Sequence, residues 1–66
     1  MIAFQVSDMT SVRCGGVVTK AIKEVDRAAV VHVDMATFTV EIEPGNATAR
    51  QLGDAIRRAG YTPVAA

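Results

Sequence analysis

The sequence contains one cysteine, Cys14, one histidine, no tryptophan, two phenylalanines and one tyrosine among its 66 residues. A lone cysteine excludes an intramolecular disulfide framework and a zinc finger closed by several thiolates. No charge of one sign dominates. Seven Lys and Arg meet seven Asp and Glu, so the formal net charge is zero and the basic balance of a broad nucleic-acid footprint is missing. No apolar run approaches the roughly 18 residues of a membrane-crossing helix, so no membrane insertion is expected. The first eight residues, MIAFQVSD, lack the basic start and apolar stretch of an export signal. An unpaired thiol without such a signal is expected in the cytoplasm. Gly15-Gly16 carries nothing else of a phosphate-binding loop.

Half of the residues are hydrophobic, 21% are charged and the mean hydropathy is +0.25. That is too apolar for a disordered chain. It suits one small domain over residues 1–66, which must place almost all its Val, Ile, Leu and Phe in one core.

Ile2, Phe4 and Val6 alternate with Ala3, Gln5 and Ser7, which predicts a half-buried first strand. Asp8, Thr10 and Ser11 can each cap a following helix. Cys14, Val17, Val18, Ala21, Ile22 and Val25 form one apolar stripe and predict a helix from about Val12 to Val25. Gly15 and Gly16 weaken its first turn and allow a close approach by another backbone or a partner. Ala29 to Asp34 reads as a second strand, with Val31 and Val33 on one face. Phe38, Val40 and Ile42 alternate in a third strand, and the two form a hairpin.

Pro44-Gly45-Asn46 marks a turn. Thr48-x-x-Gln51 is a capping box opening a second amphipathic helix through Ala49, Leu52, Ile56 and Ala59. Arg57 and Arg58 lie in its last turn, where cations suit the dipole, and Gly60 suits a left-handed terminus. Tyr61 to Val64 is expected as a short last strand, which Pro63 confines to a sheet edge. The order β-α-β-β-α-β is the ferredoxin-like split unit. It is an α+β sandwich with two helices on one face of a four-stranded antiparallel sheet. Single-stranded RNA can be read by stacking aromatics on such a sheet, but Phe4 and Phe38 are both expected in the core, so no nucleic-acid partner is expected.

At this point the residues resemble a known family, the heavy-metal-associated domain of soluble copper chaperones and of metal-transporting P-type ATPases. Its signature is G-M-T-C-x-x-C after the first strand, and here Asp8-Met9-Thr10-Ser11-Val12-Arg13-Cys14 occupies it. Val18 lies four positions after Cys14, and Ala21-Ile22 lie seven and eight after. Val31-x-Val33-Asp34 resembles the family's second strand, and Ala55-Ile56-x-x-Ala59-Gly60-Tyr61 its second-helix ending. The likeness covers essentially the whole chain. Two positions depart from it: Ser11 stands where the family has its first metal-binding Cys, and Asp8 where it usually has Gly.

The resemblance implies binding or transfer of Cu(I) or another soft ion, with Cys14 as the one retained ligand. Two thiolates can hold Cu(I) nearly linearly, whereas a serine hydroxyl is a hard, neutral donor that suits it poorly. The missing ligand is then expected from a second copy in a metal-bridged homodimer, from a small thiol or from a partner's cysteines. Asp8, Met9, Thr10, Ser11 and Tyr61 make up the metal loop and its surroundings, with Met9 packed inward and Tyr61 as a shield. Arg13, Lys20, Lys23 and Arg27 form a basic stripe on the first helix. The resemblance implies that it docks an acidic metal-transport or metal-handling domain, such as that of a P-type ATPase.

Plainer readings stand beside each of these. By position alone Cys14 is a small buried hydrophobe. A helix start beside Arg13 instead favours a lowered thiol pKa. Ser11 reads as a helix cap, Asp8 as a cap or a solvated acid, and Tyr61 as a core-edge residue. His32 is expected on the open sheet face, Met35 exposed in the hairpin turn, and the basic stripe is equally an ordinary solvated face. Catalysis is not expected, because the one Cys and the one His fall on different elements. The alternative function is a degenerate metal domain acting as a protein-interaction module.

Overall fold

The computed structural model describes residues 1–66. Its elements are β1 (Ile2–Gln5), α1 (Val12–Val25), β2 (Val30–Asp34), β3 (Thr39–Glu43), α2 (Ala49–Arg58) and β4 (Val64–Ala65). The sheet order is β2-β3-β1-β4, with every neighbouring pair antiparallel. This is the ferredoxin-like arrangement expected from the sequence.

Register puts the alternating apolar residues on one face. Phe4 lies opposite Val40 and Ile2 opposite Ile42; Val33 lies opposite Val40 and Val31 opposite Ile42. Val18 and Ile22 of α1 and Leu52 and Ile56 of α2 pack onto that face as one cluster. A one-residue slip of β3 would turn Glu41 and Glu43 inward, so burial itself enforces the register.

Both helix starts are capped as their sequences require. Ser11 accepts from the Cys14 N–H. Thr48 and Gln51 exchange side-chain to backbone bonds of 3.2 and 2.9 Å. α2 ends at Ala59, and Gly60 follows at φ 99°, a left-handed conformation natural to glycine.

Several expectations give way to packing. The last strand is Val64–Ala65 rather than Tyr61 to Val64. Pro63 cannot donate to a ladder, so pairing starts after it. Phe38 is not in the core. It takes φ 53° in the hairpin turn and is 36% exposed, and its carbonyl accepts the Val6 N–H at 2.8 Å. The turn geometry therefore overrides the alternation that would have placed Phe38 inward. Met35 is not exposed but half-buried against the core. Val17 and Val25 lie on the solvent side of the α1 stripe, whose buried line runs through Gly15, Val18 and Ile22. Gly15 faces β2 closely: an added Cβ would sit 3.1 Å from Val33 Cγ1.

One tie was not anticipated. Asp26, the C-cap of α1, is buried. Its carboxylate accepts the N–H groups of Gly45, Asn46 and Ala47 at 2.8, 2.9 and 2.9 Å. These bonds fasten the β3–α2 turn to the end of α1.

Candidate metal centre

The loop between β1 and α1 is anchored from below. Val6 and Met9 are fully buried, and the Met9 N–H donates to the Val6 carbonyl at 3.1 Å. Met9 is thus a core residue. Asp8, Thr10 and Ser11 remain exposed on the loop's outer side.

Ser11 ends the loop in extended backbone (φ −145°, ψ 162°) and starts the helix. Its carbonyl accepts the N–H groups of Cys14 and Gly15 at 3.0 and 3.3 Å. Its hydroxyl lies 3.4 Å from the Cys14 nitrogen and donates to Cys14 Sγ at 3.3 Å. The helical turn that caps α1 therefore also brings Ser11 Oγ onto the thiol.

Cys14 is half-buried and packs against the core cluster. Its pKa is lowered to about 7, below the 9.0 of an ordinary thiol. The Ser11 hydroxyl is the main cause and the Tyr61 hydroxyl the second; partial burial opposes them, and the Ser11 and Thr10 backbone N–H groups add to them. Tyr61 feels the reciprocal effect. Its phenol is raised above 10.0, first by its bond to Cys14. Arg13, the neighbour that suggested a lowered pKa in the sequence, is not among the causes. Hydrogen bonds to the thiolate achieve the shift.

Tyr61 reaches Cys14 because the chain reverses at Gly60. Its N–H then bonds to the Ile56 carbonyl at 3.3 Å. Asp8, read from the sequence as a cap or a solvated acid, caps no helix. Both of its carboxylate oxygens accept the Thr62 N–H, at 3.2 and 3.1 Å. The site thus unites Asp8, Ser11, Cys14 and Tyr61 over a floor that includes Met9. His32 is exposed on the open face of the edge strand β2, opposite Glu41, and does not join them. No group of three or more His, Cys, Asp or Glu could hold an ion by itself, so this chain offers one soft anionic donor at the loop.

The basic stripe is exposed as expected: Arg13, Lys20, Lys23 and Arg27 all face solvent. The zero net charge conceals a wider partition. Arg50, Arg57 and Arg58 place the remaining cations on α2, where Asp54 pairs with Arg57, and Glu24 lies among the α1 cations, while Asp34, Glu41 and Glu43 lie exposed on the strands. Period-two and helical spacing in the sequence already contained this division, but the net charge averaged it away. Between the helices runs an open groove with Val17, Ala21, Val25 and Ala55 along it and Lys20, Arg58 and Glu24 beside it. No helix is long and apolar enough to cross a membrane.

Residues 3–62 match the heavy-metal-associated domain. No match was found among curated proteins. Among solved structures, a gold-binding protein superimposes with a TM-score of 0.93 at 33% identity, covering 100% of both chains. The copper chaperone Atx1 from Synechocystis PCC6803 gives 0.92 at 33% identity, covering 97% of this chain and 100% of its own. A protein of Agrobacterium tumefaciens gives 0.81 at 40% identity, covering 91% and 92%.

Proposed function

The chain belongs to the heavy-metal-associated domain family, and from that membership we propose that it binds and passes a soft metal ion, Cu(I) first, through Cys14. One observation carries the reading. The retained thiol of the metal loop is poised for ionisation near neutral pH by the Ser11 and Tyr61 hydroxyls. The thiolate is the metal-binding form. Similarity to a gold-binding protein and to a copper chaperone supports an ion of soft character.

A single thiolate leaves Cu(I) under-coordinated. Ser11 supplies its proton to the sulfur rather than a lone pair to the metal. The second ligand comes from outside the chain: a partner's cysteine, a small thiol, or Cys14 of a second copy in a metal-bridged dimer. Transfer is ligand exchange. An incoming thiol's sulfur bonds to the ion, the Cys14–metal bond breaks, and the incoming thiol's proton passes to the released Cys14 thiolate or to water, with no change of oxidation state. Arg13, Lys20, Lys23 and Arg27 would receive an acidic metal-handling domain, such as one of a P-type ATPase, and complementary charge would raise the on-rate. A reducing compartment such as the cytoplasm would keep the thiol free.

Native mass spectrometry of reduced protein titrated with Cu(I), with and without glutathione, tests this. A metal-bridged dimer or a monomer carrying Cu(I) plus glutathione is expected, and neither should form with Cys14→Ala. A tight one-to-one Cu(I) complex that survives Cys14→Ala would overturn it. The second reading, an interaction module without metal, draws on the exposed cations Arg13, Lys20, Lys23 and Arg27. Charge reversal of Lys20, Lys23 and Arg27 would then abolish partner binding equally with and without Cu(I).

A further inference from the structure

The apolar stripe of α1 is wider than the core beneath it. Val18 and Ile22 are fully buried, whereas Val17 and Val25 stay 43% and 41% exposed. Those two valines lie either side of Ala21 along the groove between α1 and α2, where Ala55 lines the other helix. Lys20 and Glu24 border the same groove, one turn apart on α1, and both are exposed. Neither has an ion partner within the chain, whose one salt bridge joins Arg57 to Asp54. An exposed apolar strip marks a place where another surface can dock. With both signs of charge at its edge, it fits a surface that also presents both signs.

The order of these residues is complementary to itself. From Val17 to Val25 they run Val-x-x-Lys-Ala-x-x-Glu-Val, so reversing the helix direction matches valine to valine and lysine to glutamate. Consider an antiparallel second copy of α1 centred between Ala21 and Ile22. Each Val17 then meets Val25 of the other copy and each Lys20 meets Glu24 of the other copy, every pair within about 1.5 Å along the axis. A two-fold axis makes each contact twice. We propose that the α1–α2 groove docks a second copy of this chain, in a two-fold dimer with antiparallel α1 helices. Cys14 lies two turns from that axis, about 11 Å along the helix on either side, so the two thiols cannot share one ion. This pairing is therefore distinct from a metal-bridged dimer and needs no metal. It leaves each Cys14 to a small thiol or to another protein's cysteine.

Sedimentation equilibrium of the full chain, reduced and with a chelator present, tests this from micromolar to millimolar protein. A reversible monomer–dimer equilibrium is expected. Glu24→Lys and Lys20→Glu should each weaken self-association by about tenfold, because each sets like charges against one another twice across the axis. Mixed in equal amounts, the two variants should associate more tightly than either does alone, since each supplies the sign that the other lacks. The double exchange Lys20→Glu with Glu24→Lys should restore the wild-type equilibrium. Circular dichroism should report the same fold throughout, because both side chains are exposed. A wild type that stays monomeric at millimolar concentration would overturn the proposal and leave the groove to a different protein. So would a dimer that the single exchanges leave unchanged, or one that the mixture does not favour. A dimer that appears only when Cu(I) replaces the chelator would also overturn it, in favour of the metal-bridged form.

Discussion

Two aspartates reach across this small chain to hold distant backbone, and they do so at opposite ends of α1. At the C-terminal end, Asp26 is buried and takes three N–H groups of the β3–α2 turn at 2.8 to 2.9 Å. At the other end, Asp8 is exposed and takes one N–H, shared between its oxygens at 3.1 and 3.2 Å. A buried carboxylate with several short bonds is a permanent tie, because breaking it strands polar groups away from water. An exposed carboxylate with one shared bond can release, because water replaces it at little cost. The molecule thus keeps its firm tie at the C-terminal end of α1 and its weaker one at the loop that carries Ser11.

The largest effect should come from breaking the firm tie. Asp26→Ala leaves three turn N–H groups and the Ala28 N–H without their acceptor, and Tm should fall by on the order of 10 °C or more, read by circular dichroism. The same tie has a pH signature. The Ala47 N–H first, then that of Asn46, hold the Asp26 carboxyl below its usual range against desolvation, and Gly45 and Ala28 add to them. A carboxylate depressed in the folded state contributes stability above the ordinary value of about 3.9. That contribution is lost as pH falls from there through the depressed value. Urea melts between pH 5 and pH 2 should therefore show wild type losing more stability than Asp26→Asn.

Crowding the tie should cost less than removing it. At Gly45 an added Cβ would stand 2.5 Å from Ala28 Cβ and 2.8 Å from Asp26 Oδ1. Gly45→Ala should destabilise by about 1–3 kcal/mol through overpacking, measured by denaturant unfolding. At the thiol end, Ser11→Ala removes a helix cap, worth about 1 kcal/mol, together with the main support of the thiolate. The pH midpoint of Cys14 alkylation should rise from about 7 towards 9.0. The smallest stability effect belongs to Asp8→Ala, which should stay within about 0.5 kcal/mol. If it rivalled Asp26→Ala, the contrast between the two ties would collapse.

Much of the architecture was legible along the chain. α1 runs over the residues its stripe and Ser11 cap indicated, and Thr48-x-x-Gln51 opens α2 as a capping box should. These signals are local: a cap and its helix lie within one turn. Phe38 was misplaced because alternation says nothing about the left-handed residue that a tight hairpin turn needs. β4 was expected over Tyr61 to Val64; the strand keeps Val64 and runs on to Ala65, because pairing starts only after Pro63. At the site, Ser11 and Cys14 are one helical turn apart, so their approach could be read from spacing. The Asp8–Thr62 bond could not, because nothing local in either residue names its partner. Asp26 gave no hint of its role for the same reason: an aspartate after a helix is usually solvated, and only the returning β3–α2 turn makes it an acceptor.

Residue order and type were enough to establish the β-α-β-β-α-β plan, the helix caps, the core made of alternating and stripe positions, and a metal loop left with one thiol. They were enough because each depends on periodicity or on neighbours within a turn. Folding was needed to bring Tyr61 beside Cys14, to draw Asp8 onto Thr62 and to bury Asp26 among turn N–H groups. Those outcomes depend on which distant segments meet when the helices close over the sheet, whereas the main hydrogen bond to the thiol, from Ser11, lies within one helical turn.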